Sequence, residues 1–359
     1  MSAAGRPHPR LAEAVVAAWT PDGVAARLLR ALLVPAAGVY GAAVAVRNAA
    51  YDRGWLRTTR VPAHVVSVGN LTVGGTGKTP VALWIAEQLR ARGRRVAIVA
   101  RGYRKRRKGV VVVSTGAGPL VTPEEGGDEA VMLAHRFAGP VVTAERRAEG
   151  AAHACSVLGC DTIVLDDGFQ HRALARDVDV VVLADDPAAA RLLPAGSRRE
   201  PWSALRRAHL ALTVGGAAVP VVGPPAVRID VEPRALVSIR DGAWETSPLG
   251  ALAGADVVAV AGVARPARFV ATLAGLGARV VRTLTFPDHH AYGPDDLAAI
   301  AAAAAAGRLV TTEKDLVKLQ SAGLPGLVAL RIGLVVADPE AVLTRVAPTS
   351  PGSVAFHPL

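Results

Sequence analysis

The chain has 359 residues, enough for about two domains at roughly 150 residues each, and 51% of them are hydrophobic although only 4% are aromatic. An apolar content made mostly of Ala, Val and Leu excludes wholesale disorder, and the two cysteines, Cys155 and Cys160, build neither a disulfide framework nor a zinc site of ordinary spacing, so a reducing compartment is expected. The net charge of +11 is uneven: residues 1–108 hold 19 Lys and Arg against 4 Asp and Glu, and the remainder hold 22 against 26. The first third of the chain is therefore the cationic part, suited to nucleic acid, an anionic membrane or an anionic substrate.

Residues 31–46 (ALLVPAAGVYGAAVAV) are 16 consecutive uncharged, mostly apolar residues. A spanning helix needs about 20. Arg27 and Arg30 stop an extension upstream, and Pro35 weakens a straight helix. Trp19, Tyr40, Tyr51 and Trp55 lie within or around the segment as interface aromatics do. Arg27, Arg30, Arg47, Arg53, Arg57 and Arg60 suit anionic headgroups. Two readings stand: a membrane-surface or partly inserted helix, or an Ala-rich helix packed on the domain. A cleaved signal peptide is not expected, because a nucleotide motif follows at once.

Residues 65–69 (VVSVG) read as a buried strand and 80–92 as a helix, with Pro80 in the first turn where proline is tolerated. Between them runs Asn70-Leu71-Thr72-Val73-Gly74-Gly75-Thr76-Gly77-Lys78-Thr79. A strand, a Gly-rich loop and a helix form the setting of a phosphate-binding loop. Glycines let backbone N–H groups turn inward on phosphate oxygens, and the helix N-terminus adds its positive end. Lys78 reaches for the β- and γ-phosphates, and the Thr79 hydroxyl suits Mg²⁺. The pattern G-x-x-x-x-G-K-[ST] asks for glycine where this chain has Thr72, and Gly74 and Gly75 can supply that freedom.

Residues 162–165 read as a second buried strand, ending in Asp166-Asp167-Gly168. An acidic residue at a strand end beside a phosphate loop is where a metal-holding carboxylate sits. Two adjacent aspartates also make a plain turn. A phosphate loop alone does not separate a small-molecule or lipid kinase from a dimerising regulatory ATPase. The latter class carries lysine where this chain has Val73, which favours the kinase. A kinase also needs a group to take or orient the acceptor hydroxyl proton. Asp128 opens a helix over 128–137, where it is either that group or an N-cap. Phe286-Pro287-Asp288-His289-His290 lies between a strand at 279–285 and a helix starting near Pro294, a position equally open to acid–base residues or a surface turn.

The segments SVGNLTVGGTGKTP (67–80), ARGYRKR (100–106), GGDEA (126–130), VLDDGFQHR (164–172), LLPAGSRREP (192–201), FPDHH (286–290) and TTEKD (311–315) occur in an order and spacing that closely resemble the tetraacyldisaccharide 4'-kinase family, the lipid A kinases of Gram-negative bacteria. The resemblance runs from about residue 30 to about residue 330, and the family tolerates a non-glycine at the position of Thr72. It implies ATP with Mg²⁺ as cofactors and phosphorylation of the 4'-hydroxyl of a tetraacylated disaccharide 1-phosphate, giving lipid IVA. It also implies attachment to the cytoplasmic face of the inner membrane, where anionic lipids would be partners. No nucleic-acid partner and no obligate protein partner are expected.

By the resemblance, residues 72–79 and Tyr103 would hold the nucleotide, and Thr79, Asp166 and Asp167 the metal. Asp128 would be the base, assisted by His289, with Lys78 on the phosphates. Asn70, Glu129, Arg199, Glu200 and His290 would lie near the acceptor and the transferred phosphate. The basic run Arg104–Lys108 is read as a solvated loop or a contact to the acceptor's 1-phosphate and to headgroups.

The expected fold is α/β: a phosphate-loop NTPase-like parallel sheet core, a smaller C-terminal α/β domain and an N-terminal membrane-associated helix. The expected division is 1–60 for the helical segment, 61–215 for the core, 216–250 for a β linker, 251–340 for the second domain and 341–359 for a tail. Strand–helix alternation over 61–215, and again over 256–320, carries this reading.

Overall fold

A computed structural model describes residues 15–16, 19, 23–185, 190–217, 223–240 and 243–347. The beginning of the N-terminal segment, parts of the 216–250 stretch and residues 348–359 of the expected tail lie outside these. The first long element is α1 (Val24–Asp52), a helix of 29 residues, or about 43 Å at 1.5 Å per residue. Pro35 is accommodated inside it. Its Ala37, Tyr40, Gly41, Val44 and Asn48 recur at helical spacing and form the face turned to the body of the protein. A Cβ on Gly41 would stand 2.8 Å from the Leu192 side chain, so glycine permits the close approach. The other face leaves Leu28, Leu32, Val39 and Val46 exposed.

The core follows the expected alternation. It comprises β1 (His64–Gly69), α2 (Lys78–Ala91), β2 (Val96–Ala100), β3 (Val111–Ser114), the short turn of helix α3 (Pro123–Gly126), α4 (Asp128–Arg136), β4 (Val141–Thr143), α5 (Arg147–Ser156), β5 (Thr162–Asp166), β6 (Val178–Leu183) and β7 (Leu210–Val214). Strand β1 pairs in parallel with β5 on one side and β6 on the other, with Val68 opposite Asp166. This register sets the loop after β1 beside the acidic end of β5. Alternate residues face opposite layers, as a pleated strand requires. Val66 and Val68 pack under Leu83, Ile85 and Leu89 of α2 and Leu133 of α4. Val65 packs toward Ala151 and Ala154 of α5. Full burial of one such Leu or Ile side chain contributes about 1.5–3 kcal/mol.

The chain then enters β8 (Ala226–Arg240), a strand of 15 residues in the stretch expected as linker. Its start pairs in parallel with β7, and its end forms a hairpin with β9 (Ala243–Ser247). The second α/β unit adds β10 (Asp256–Ala261), α6 (Pro266–Gly275), β11 (Arg279–Thr285), α7 (Pro294–Ala303), β12 (Arg308–Thr312), α8 (Glu313–Leu319) and β13 (Val328–Val336). Strand β13 runs antiparallel along β8 from Ile229 to Val237. The two halves, parallel except for the antiparallel edge strand β3, thus join across this seam into one sheet, in the order β11-β10-β12-β13-β8-β7-β6-β1-β5-β2-β4-β3. The stretch expected as tail opens with a helix, α9 (Pro339–Val346), capped by the Asp338 side chain on Ala341 N–H. Its Val342, Leu343 and Val346 are buried with α2 in the core of the first half.

Candidate active site

The loop after β1 is shaped by its own side chains. Asn70 is fully buried; its Nδ2 donates to Thr76 Oγ1 at 2.9 Å and to Thr72 Oγ1 at 3.4 Å, and its Oδ1 accepts from Lys78 Nζ at 3.2 Å. The Gln170 side chain donates to the Asn70 carbonyl. Thr72 is mostly buried and bridges to Arg198, while Val73 N–H donates to the Ser197 carbonyl. Position 72 is therefore a strand-like contact in this chain. Left-handed φ values of +109° at Gly74 and +88° at Gly77 carry the turn, and Gly77 caps α2. Gly75 has open space beside its Cα.

The paired aspartates stand in different surroundings. Asp166 is 4% exposed. Burial, with Glu129 and Asp167 adding to it, pushes its carboxyl up to about 7. Thr79 Oγ1 donates to its Oδ2 at 2.9 Å, while its Oδ1 is buried without a hydrogen-bond partner. Asp167 sits at φ +55°, with Lys78 Nζ 3.1 Å away and Arg199 Nη1 3.0 Å from both carboxylate oxygens. Burial opposes its charge, but Lys78 and Arg199 overcome that and hold the carboxyl at about 2. Arg147, buried beneath the pair, is lowered to about 10 by burial against the pull of Asp167.

The donor set fits a hard cation. The Thr79 hydroxyl meets a buried carboxyl group, Asp166, one of whose oxygens has no hydrogen-bond partner. Among the described residues no group of three or more His, Cys, Asp or Glu forms a protein cage. The Thr79 and Asp166 oxygens suit Mg²⁺, which takes one or two carboxylates and completes its shell with water and phosphate oxygens.

A second cluster assembles from three distant segments. Asp128 opens α4, His289 lies in the loop between β11 and α7, and Lys314 and Lys318 sit one turn apart on α8. His289 Nδ1 is 3.4 Å from Asp128 Oδ2, and Lys318 Nζ is 3.9 Å from the same oxygen. His290 turns elsewhere: its Nε2 meets Asp296 Oδ2 at 2.8 Å and its ring stacks on Phe286. Tyr103 lies half exposed with its ring 4.8 Å from that of His289, and Arg104 donates to the His289 carbonyl. Glu129 links the two clusters: it acts on Asp166 and lies 3.6 Å from Lys314.

Family membership follows from matches across most of the chain. Residues 29–349 match the family model for tetraacyldisaccharide-1-P 4'-kinase. A tetraacyldisaccharide 4'-kinase of Anaeromyxobacter sp. (strain K) is 48% identical over 330 residues, 87% of each chain. The chain belongs to the tetraacyldisaccharide 4'-kinase family. Another member, from Syntrophus aciditrophicus, is 41% identical over 78% of this chain and 82% of its own. A crystal structure of LpxK from Aquifex aeolicus in complex with ATP superposes with a TM-score of 0.76 at 33% identity, covering 89% of this chain and 98% of that one.

Glu200 stands apart from the other expected acceptor residues. It is 1% exposed, and both its oxygens accept from Arg207, at 2.8 and 2.9 Å, while Oε2 also accepts from Asn48 of α1. Beside it the Arg199 carbonyl accepts from Tyr40. The sequence reading gave no role to Lys314, Lys318, Arg147 or Gln170. Lys314 within TTEKD, followed by Lys318 at i+4, was the one local signal; the others depend on tertiary proximity.

Proposed function

We propose that the chain transfers the γ-phosphate of ATP to the 4'-hydroxyl of a tetraacyldisaccharide 1-phosphate, forming lipid IVA, and that the two clusters divide the work. The observation that carries this reading is the meeting of Asp128 and His289, 161 positions apart in sequence, in a chain whose phosphate loop is linked to them through Asp166 and Glu129. Lys78 and the backbone of 74–79 hold the triphosphate, and Tyr103 contacts the base. Thr79 and Asp166 hold Mg²⁺, with Asp167 beside them. When bound, the metal neutralises charge on the β- and γ-oxygens.

Asp128 takes the acceptor hydroxyl proton as the new O–P bond forms and the bond from the γ-phosphorus to the β,γ-bridging oxygen breaks, releasing ADP. Alignment and fixed positive charge at Lys78 and Arg199 supply most of the acceleration. General-base help adds about 10²–10⁴-fold. Asn70 shapes the phosphate loop, Glu129 joins the two clusters, and Arg199 faces the transferred phosphate, while Glu200 braces the Arg199 segment against α1 and His290 braces the loop that carries His289.

The protein is membrane-associated through α1, which is long and apolar enough to cross a membrane by length and composition. Since ATP is cytoplasmic, the cytoplasmic face of the inner membrane is the place where α1 and its flanking arginines meet anionic lipid. The test is thin-layer separation of products from labelled ATP with and without the disaccharide. Transfer to the lipid with little hydrolysis in its absence is expected. Acceptor-independent hydrolysis with nucleotide-dependent dimerisation would instead indicate a regulatory ATPase.

A further inference from the structure

The segment Thr311-Thr312-Glu313-Lys314-Asp315 places Lys314 against the histidine of the second cluster. Lys314 Nζ lies 3.0 Å from His289 Nε2, 2.7 Å from Asp288 Oδ1 and 3.6 Å from Glu129 Oε1. Its side chain is only 15% exposed. An ammonium has three hydrogens to donate and no lone pair. Against it, His289 Nε2 can only accept. The ring proton is then on Nδ1, and Nδ1 is the nitrogen that faces Asp128 Oδ2. The two nitrogens of an imidazole are assigned by exactly such partners.

We propose that Lys314 is a positioning residue for phosphoryl transfer: it fixes His289 as the Nδ1–H tautomer and so makes it a donor to the Asp128 carboxylate. The inference deepens the reading of Asp128 as base and rests on it. With His289 donating to Oδ2, the acceptor hydroxyl delivers its proton to the other carboxylate oxygen. The imidazole orients the carboxylate and does not compete for that proton.

The surrounding geometry supports a held ring. His289 has a left-handed φ of +58°, unusual for a residue with a side chain. Its N–H donates to Asp288 Oδ1, the oxygen that also accepts from Lys314. Its carbonyl accepts from Arg104, and Tyr103 packs beside the ring. Lys314 thus holds the ring directly through Nε2 and the backbone of the same residue through Asp288. Helix α8 begins at Glu313, so the lysine projects from a rigid element.

Lys314→Met removes the donor at similar length. In ¹⁵N-resolved histidine ring spectra of the full-length enzyme, the His289 signal, assigned by its loss in His289→Gln, should report a protonated Nδ1 in wild type. In Lys314→Met protonation should shift toward Nε2, which lies 3.9 Å from Asp288 Oδ2 and is then free to donate to it. Turnover should fall about 10- to 100-fold, the size of effect seen when the partner orienting a metal-bound histidine is lost, with the KM for ATP changed far less. Lys314→Arg, which restores a cationic donor, should recover the Nδ1–H signature and most of the rate. Lys314→Ala serves if the Met variant does not fold.

Unchanged Nδ1 protonation in Lys314→Met, or an unchanged kcat, overturns the inference. An inactive Asp128→Asn alongside a fully active Lys314→Met removes the role of Lys314 and leaves the base in place. A fully active Asp128→Asn removes the base, and this inference with it.

Discussion

Replacing Glu313 with glutamine should cost about 3 kcal/mol of stability. The carboxylate has 3% of its side chain exposed and joins the two halves of the sheet: Oε1 lies 2.6 Å from Arg331 Nε on β13, and Oε2 lies 3.1 Å from Arg136 Nη1 on α4. Breaking a buried pair costs about 3–5 kcal/mol, because a charge is left unmatched. The lower end applies here, since the guanidiniums are 14% and 21% exposed and water reaches them in part. Glu87 offers poor compensation: burial raises its carboxyl, and the nearby Arg136 and Arg331 only partly offset that. At about 2.1 cal/mol/K of unfolding entropy per residue, a chain of 359 residues shifts by about 1.3 °C per kcal/mol, so the melting midpoint should fall by about 4 °C. Calorimetry and urea titration measure it. An apolar replacement of the whole group (Glu313→Met with Arg136→Met and Arg331→Leu) should recover most of the loss. A Glu313→Gln change below about 1 kcal/mol, or a triple variant weaker than the single one, refutes the argument.

Asp128→Ala should lower kcat by about 10²–10⁴-fold with the circular dichroism spectrum and melting midpoint retained; a near-wild-type rate removes Asp128 as base. Burial holds His135 and His171 neutral to about pH 4 against an ordinary 6.5, with Arg331 reinforcing the first and Arg147 the second. Unfolded imidazoles take up protons below pH 6.5 while the folded ones resist, so their share of stability is full above 6.5 and lost as pH falls toward 4. Asp166 titrates in the opposite sense over much of this range, so the histidine share is read as the difference between wild type and His135→Phe, which should narrow on acidification. Leu32→Glu with Val39→Glu, both on the exposed face of α1, should reduce co-sedimentation with anionic vesicles at least about tenfold without moving the melting midpoint; unchanged binding would mean that this face does not meet lipid.

The parts of the molecule legible in sequence are those whose signal is local. The stretch 65–92 carries strand, loop and helix in one continuous pattern, and the structure has β1 and α2 there. Strand β8 was legible only as short β-like runs, because it alternates charged and apolar residues, contains Pro233 and is buried at scattered points along a seam. Helix α9 did carry its own signals, Asp338 as cap and Pro339 in the first turn, but it lies beyond the last motif. At the site, Asp128 and the Asp288-His289-His290 run stood out as acid–base candidates, but their pairing came from the family resemblance, and nothing local to either segment shows that they meet. Lys314 could be singled out only with both partners in place, since its effect depends on which imidazole nitrogen it reaches.

Helix α1 is fastened to the phosphate-site loops as well as resting on the body of the protein. Tyr40 holds the Arg199 carbonyl, Arg47 that of Gln170, and Asn48 the Glu200 carboxylate. On the membrane attachment proposed above, the depth to which its Leu28–Leu32 end sinks among acyl chains sets how high the γ-phosphate rides above the lipid surface. An acceptor whose sugars project a fixed distance from its own acyl chains is met at that height. The search for it then reduces to lateral diffusion in a plane, with the anchor serving as a ruler for the chemistry.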